Sequence, residues 1–322
     1  MRPLLVVWEL ATDDYGYFTQ FRPAVRIAGI CENRGIPLRF LFARDVAAYL
    51  ARLTSDTTTA PLPGYSPPSN EARAPFRDPS AVRCLIRGMT DPARIASLEK
   101  AGIPCVNGSR ATRIANDKLE SAHLARRLGI PTPLAFPADG AVWNARNPAA
   151  DPPEGLAYPL VIKPRFGSRG RCVTLATTRE EAVAAIQGLE DRGERALAQE
   201  YVAASRGRDL RVFFSGNRIV AVACRINPAG GLVSNAAEGG LMRRASLPDP
   251  AGEWERAAFA LAGEAGLLYG SADFLYTGDG GLTLCEINAA PGFEALESAC
   301  GIDVAGAVID AATEWERPLT AR

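Results

Sequence analysis

Two short apolar runs, Gly270–Tyr276 and Leu282–Asn288, flank Asp279-Gly280 and constrain this chain more than any other feature. Asp-Gly between apolar segments is a strong hairpin signal. A two-residue turn there places Asp273 opposite Glu286. Asn288, two residues further on, shares their face. Carboxylates directly opposite each other destabilise a sheet. The pairing makes sense if a hard cation lies between them. Asp, Glu and Asn oxygens without His or Cys suit Mg²⁺ or Mn²⁺. The alternative is a solvated sheet face. On either reading Cys285 and Ile287 point the other way, into a core.

The rest of the chain divides into three stretches. Residues 1–110 alternate strand and helix signals: strands Pro3–Trp8, Leu38–Phe42, Val82–Arg87 and Pro104–Val106, and helices Phe21–Arg34, 45–53 and 91–100 capped by Asp45 and Asp91. That order predicts an α/β domain with a mainly parallel sheet. Residues 54–80 are rich in Thr, Pro and Ser and read as a surface insertion or partly disordered. Residues 111–200 open with one helix, Arg110–Leu128, then give strands Tyr158–Pro164 and Cys172–Ala176, a helix capped by Thr178 and Glu181, and a strand Ala196–Tyr201. Residues 201–322 read as two hairpins with helices Trp254–Ala265 and 303–315. The fold class is therefore α/β followed by α+β.

Composition excludes several functions. Basic and acidic residues balance at 36 each, which leaves no basic excess for nucleic acid or a membrane surface. One histidine, His123, cannot build a multi-His metal site and sits on a helix face. Seven scattered cysteines without a CxxC pair read as reduced thiols of a cytoplasmic protein. No apolar run is long enough to span a bilayer. Only three of the 36 basic residues are lysines: Lys100, Lys118 and Lys163. A lysine retained in so Arg-rich a chain invites a specific role, because its compact ammonium does work a guanidinium cannot copy.

Lys163 ends the apolar run Tyr158–Ile162, where a buried ammonium costs several kcal/mol unless an anion meets it. Gly167-Ser168-Arg169-Gly170 follows, a loop whose backbone N–H groups can close on phosphate. An ordinary hairpin loop is the alternative. Asn116-Asp117-Lys118, at the second turn of a helix, reads on its own as exposed charge. Glu200, Tyr201 and Val202 lie where an inter-domain hinge would offer backbone groups to an adenine edge. Asp209, Arg211 and Arg225 depend on register. A two-residue turn at Gly216-Asn217 sets Asp209 opposite Cys224 with Arg225 on the other face. A three-residue loop, 215–217, puts all three on one face, and a joint role requires that second register.

In order along the chain, these residues resemble the ATP-grasp superfamily, most closely its RimK-type glutamate ligase branch. The resemblance spans residues 104–316 and also rests on Gly129-Ile130-Pro131-Thr132-Pro133 and, most specifically, on Cys285-Glu286-Ile287-Asn288-Ala289-Ala290-Pro291-Gly292-Phe293. It implies an N-terminal Rossmann-like domain (1–110) followed by two α+β subdomains (111–200 and 201–322) that clasp ATP. It implies ATP contacts from Lys118, Lys163, Gly167, Ser168, Gly170, Glu200, Tyr201 and Val202, with Asp209 on the ribose side. Asp273, Glu286 and Asn288 match the ligands of two Mg²⁺ (or Mn²⁺) ions. Arg225, with Arg211, matches the arginine at the reacting centre, and Asn235 an asparagine near the terminal phosphates.

The implied reaction is ATP-dependent amide formation between small-molecule carboxylate and amine substrates through an acyl phosphate. A homodimer or homotetramer is expected by family analogy. The segment Val233–Glu238 is apolar, small or acidic where close RimK-type enzymes tend to be basic. That departure weighs against glutamate or an acidic peptide tail as substrate. The divergent N-terminal region suggests a specialised acceptor in a biosynthetic pathway. The competing readings are glutamate addition to a protein C-terminus, a phosphotransferase that forms no amide, and a nucleotide-binding module without catalysis.

Overall fold

The computed structural model describes residues 2–54, 62–67, 76–143, 155–167, 172–234 and 240–314. The N-terminal unit runs β1 (Leu4–Trp8), α1 (Arg22–Asn33), β2 (Leu38–Phe42), α2 (Val46–Leu53), β3 (Arg83–Arg87), α3 (Pro92–Lys100) and β4 (Cys105–Val106). Its sheet is parallel, in the order β2-β1-β3-β4. All of β1 is buried because both sheet faces are covered. Leu4, Val6 and Trp8 pack toward α1, whereas Leu5 and Val7 pack toward α2 and α3. Asp91 caps α3 by accepting the Ala93 N–H, as expected. Asp45 does not cap α2; its carboxylate accepts the Tyr15 hydroxyl at 2.7 Å instead.

Parts of 54–80 are built into this unit rather than lying on its surface. Tyr65 exchanges two backbone hydrogen bonds with Phe40 at the β2 edge, and Phe76 is fully buried. The other residues of that stretch that bear on the reading, 55–61 and 68–75, lie outside the described residues.

The predicted single helix over 110–128 is two: α4 (Ser109–Asn116) and α5 (Lys118–Arg127). Asp117 between them is extended, at φ −98° and ψ 105°. Both helices pack against the third sheet through Ala111, Ile114, Leu124 and Ala125. His123 is exposed on α5.

The second sheet takes its strands from β5 (Ala135–Ala138), β6 (Leu160–Pro164), β7 (Thr174–Ala176) and β8 (Ala196–Glu200), in the order β5-β8-β6-β7. It is covered by α6 (Gly140–Trp143) and α7 (Arg179–Glu190). Thr178 caps α7 through the Glu181 N–H at 3.3 Å, while the Glu181 carboxylate reaches the Thr177 N–H at 2.7 Å. The reciprocal half of the capping box is thus displaced by one residue. Strand β5 carried no sequence signal, because Ala135–Ala138 contains a proline and little apolar bulk.

The third sheet is β9 (Arg208–Ser215), β10 (Arg218–Ile226), β11 (Leu241–Arg244), β12 (Tyr269–Tyr276) and β13 (Leu282–Asn288), in the order β11-β10-β9-β12-β13. Helices α8 (Ala251–Ala265), α9 (Glu294–Cys300) and α10 (Val304–Thr313) complete the chain. Helix α8 closes at Gly266, whose φ of +82° is the left-handed conformation glycine tolerates.

Register in the two hairpins departs from simple counting. In β9–β10 the turn has two residues, with Ser215 opposite Arg218. An extra residue, Val220, then shifts the ladder, so Asp209 faces Arg225 rather than Cys224. All three residues of that predicted set share a face, reached by a bulge and not by a three-residue loop. In β12–β13 the turn is longer than expected, closed by Thr277 N–H to Gly281 C=O at 3.0 Å. A bulge at Cys285 restores the predicted pairing of Asp273 with Glu286. The two departures cancel. They do not cancel for Cys285, which is half-buried and lines a cleft instead of packing in the core.

Candidate functional site

A cleft opens between the second and third sheets. Lys118, Lys163, Glu200, Tyr201, Val202, Asp209, Arg225, Asp273 and Glu286 all line it. Gly167 touches the site through its carbonyl, which accepts from Lys118 Nζ at 2.7 Å. Arg211 and Asn288 stand behind this lining, each bonded to Asp273. Ser168, Gly170 and Asn235 lie outside the described residues.

The floor is an alternating ladder of charge. Arg211 forks onto Asp273 at 2.9 and 2.7 Å. Arg225 forks onto Asp209 at 2.6 and 2.6 Å and also reaches Asp273 at 2.8 Å. Ser234 donates to Asp209 at 2.7 Å, and Ser271 to Asp273 at 3.2 Å. Such bidentate pairs fix direction as well as charge. All four charged groups are at least nine-tenths buried. Burial pushes the Asp273 carboxyl up, but Arg211 and Arg225 outweigh it and hold it at about 2. Asp273 is therefore ionised throughout the neutral range. Burial works against the Arg225 charge, yet Asp273 and Asp209 raise its pKa overall.

Glu286 differs from Asp273. Among the described residues it forms no ion pair, and only the Asn288 amide approaches it, at 3.4 Å. No three His, Cys, Asp or Glu side chains among the described residues form a metal-competent group, so a metal here needs the Asn288 oxygen. Asp273 already accepts from four side chains, and an ion would replace donors there rather than fill a gap. With those terms met, Asp273, Glu286 and Asn288 offer the hard-oxygen set that suits a divalent cation.

The cations meet on the opposite wall. Lys163 is buried at the end of β6, with Nζ 3.9 Å from Cys285 Sγ. Burial lowers the pKa of Lys118 against the pull of the Glu286 charge, and the nearby Lys163 charge lowers it further. Among the described residues neither lysine has a carboxylate within ion-pair distance. Two ammonium groups facing one cavity without an ion-pair partner favour an anion between them. The Cys285 thiol is pushed up to about 11 by burial, against the pull of Lys163. At the end of β8, Glu200 is anchored to Leu134 by a backbone bond at 2.8 Å and a side-chain bond at 3.1 Å.

Sequence reasoning gives no site role to several lining residues: Ser205, Arg206, Arg208, Leu232 and Cys285. Whereas Val233 and Ser234 bring none, Arg206 and Arg208 put positive charge in the cleft from the start of β9 and the turn before it. Adjacency to Asp209 was the one available signal for them. Nothing in the sequence pattern marked Ser234 or Arg165.

Comparison with known proteins identifies the family and the fold. The RimK-like ATP-grasp domain profile matches residues 115–312. A probable alpha-L-glutamate ligase of Legionella pneumophila is 32% identical over 234 residues, 71% of this chain and 73% of that protein. Among solved structures, the D-cycloserine synthetase DcsG superposes with a TM-score of 0.66 at 18% identity, covering 97% of this chain and 98% of that one. The D-alanine–D-alanine ligase of Bacillus anthracis, solved with ATP, gives a TM-score of 0.69 at 15% identity, covering 98% and 97%. No helix among the described residues is long and apolar enough to cross a membrane. The chain belongs to the RimK-like ATP-grasp family of ATP-dependent ligases, which use ATP and divalent metal ions.

Proposed function

We propose that the cleft binds ATP and joins a small amino-acid or peptide-like carboxylate to an amine, releasing ADP and phosphate. The observation that carries this reading is the convergence of Lys118 and Lys163 on one cavity opposite Glu286, Asp273 and Arg225. The hinge residues Glu200, Tyr201 and Val202 would hold the adenine end.

In the first step a substrate carboxylate oxygen attacks the γ-phosphorus and the bond to the β-phosphate oxygen breaks, giving an acyl phosphate and ADP. In the second step an amine attacks the acyl carbon, phosphate leaves with the C–O bonding pair, and the nitrogen gives up a proton to the departing phosphate or to water, leaving the amide. Charge moves between oxygens in both steps, so the protein's task is positioning and electrostatic stabilisation. Lys118 and Lys163 neutralise the phosphates. The Arg225 guanidinium keeps its Nη1 hydrogens after serving Asp209 and Asp273, and these can meet the oxyanion. Arg211 acts one layer back, keeping Asp273 ionised and aimed. Asp273, Glu286 and Asn288 would hold Mg²⁺, which supplies further neutralisation of the phosphate oxygens.

Phosphate release measured against paired carboxylate and amine libraries, with mass spectrometry of the products, tests the proposal. Release that requires both partners is expected, and Lys163→Ala should abolish it. Turnover with a carboxylate alone and no amide product would favour the phosphotransferase. Unchanged turnover in Lys163→Ala would remove the nucleotide assignment.

A further inference from the structure

Lys118 is held where its charge is least comfortable. Because Asp117 leaves the helical conformation, Lys118 becomes the first residue of α5. An ammonium there meets the positive end of the helix dipole. It is also near Lys163, and its pKa is lowered. A flexible lysine would turn to solvent unless something fixed its backbone.

That fixing comes from Arg165, which directly follows β6 and lies 48 positions from Asp117. Its guanidinium forks onto Asp117 at 2.9 and 2.7 Å. The Asp117 carboxylate is 7% exposed and also accepts the Leu119 and Glu120 N–H groups at 3.0 and 3.3 Å, capping α5. The backbone repeats the link: Lys118 N–H donates to Arg165 C=O at 3.1 Å, and Asp117 bridges Phe166. Lys118 Nζ then reaches Gly167 C=O at 2.7 Å. The helix whose apolar face packs on the third sheet is in this way stapled to a strand of the second, at the residue that carries the ammonium.

We infer that the Asp117–Arg165 pair is a positioning device for Lys118, holding its ammonium in the cleft ready for a polyphosphate. The inference rests on the nucleotide reading above. Neither side chain lines the cleft, so the pair acts through Lys118 and not by touching the ligand.

A double-mutant cycle tests this, read by calorimetric titration of the full chain with ATP plus Mg²⁺ and without carboxylate or amine. Arg165→Gln is expected to weaken ATP binding about tenfold, the scale of one misdirected charge-assisted hydrogen bond. In a Lys118→Ala background the same substitution should change affinity by no more than about twofold. A general structural role would not give that coupling. Equal weakening in both backgrounds, or none in either, overturns the inference. If Arg165→Gln fails to unfold cooperatively, Arg165→Lys, which keeps the charge and loses the fork, completes the same cycle with the same criterion. Failure of the underlying reading looks different: a wild-type chain that binds no ATP, or a Lys118→Ala variant that binds as well as wild type, removes the nucleotide site itself.

Discussion

The two hairpins of the third sheet share a bulge and have opposite electrostatics. Each carries one extra residue, Val220 in β10 and Cys285 in β13. In β9–β10 the facing pair is Asp209 and Arg225, which satisfy each other. In β12–β13 the facing pair is Asp273 and Glu286, two acids that cannot. Asp273 takes its partners from the neighbouring hairpin, facing Arg211 across β9 and β12. Glu286, on the edge strand of the sheet, has no such neighbour on its outer side. One hairpin is electrostatically closed, and the other leaves the Glu286 carboxylate without an ion-pair partner among the described residues. The metal assignment proposed above rests on that asymmetry.

Removing Asp273 should do the most damage. Asp273→Ala leaves two buried guanidinium groups short of a partner and should cost about 3–5 kcal/mol in urea unfolding. Asp209→Ala leaves Arg225 with Asp273 and should cost less, about 2 kcal/mol. The reverse order would break the comparison. Glu286→Gln relieves a like-charge pair, so stability should hold or rise by up to about 1 kcal/mol. Its phosphate release should nonetheless fall on the order of a hundredfold, as for loss of one transition-state electrostatic contact. A destabilised Glu286→Gln variant would show that the second hairpin is closed after all.

The Asp117–Arg165 pair gives a smaller effect with a defined pH dependence. Burial raises the Asp117 pKa, but the Arg165 hydrogen bonds and the helix N–H donors lower it overall from 3.8. A depressed carboxyl stabilises the fold above its unfolded pKa and loses that contribution as pH falls through the folded value. The stability advantage of wild type over Asp117→Asn should therefore be constant at neutral pH and shrink only below about pH 4, by denaturant midpoints at each pH. Smallest is the thiol contrast. Cys172 is exposed, whereas the Cys285 pKa is pushed up to about 11. Iodoacetamide at neutral pH should label Cys172 first and leave Cys285 unmodified in peptide mass spectra.

Much of the fold was legible because its signals are local. The parallel N-terminal sheet follows from short apolar strands alternating with capped helices, and Leu38–Phe42 and Leu282–Asn288 match their predicted bounds. Lys163 stood out because a lysine ending an apolar strand is chemically conspicuous. The break at Asp117 was not legible: the periodicity of 110–128 is helical, and the residue that pulls Asp117 out of the helix is 48 positions away. Cys285 was misplaced because alternation assumes an unbroken ladder, which a bulge violates.

By itself the sequence determined which residue types lie on which strands, and therefore which charges are available to a site. Alternation and turn chemistry are nearest-neighbour properties, and a chain expresses them without knowing its fold. Tertiary structure alone decided the partnerships. Arg211 meets Asp273, Arg165 meets Asp117 and Lys118 meets Gly167 because strands and helices distant in sequence are brought side by side. Those pairings turn scattered charges into a site, since Coulomb energy depends on separation and burial, and neither is a property of sequence position.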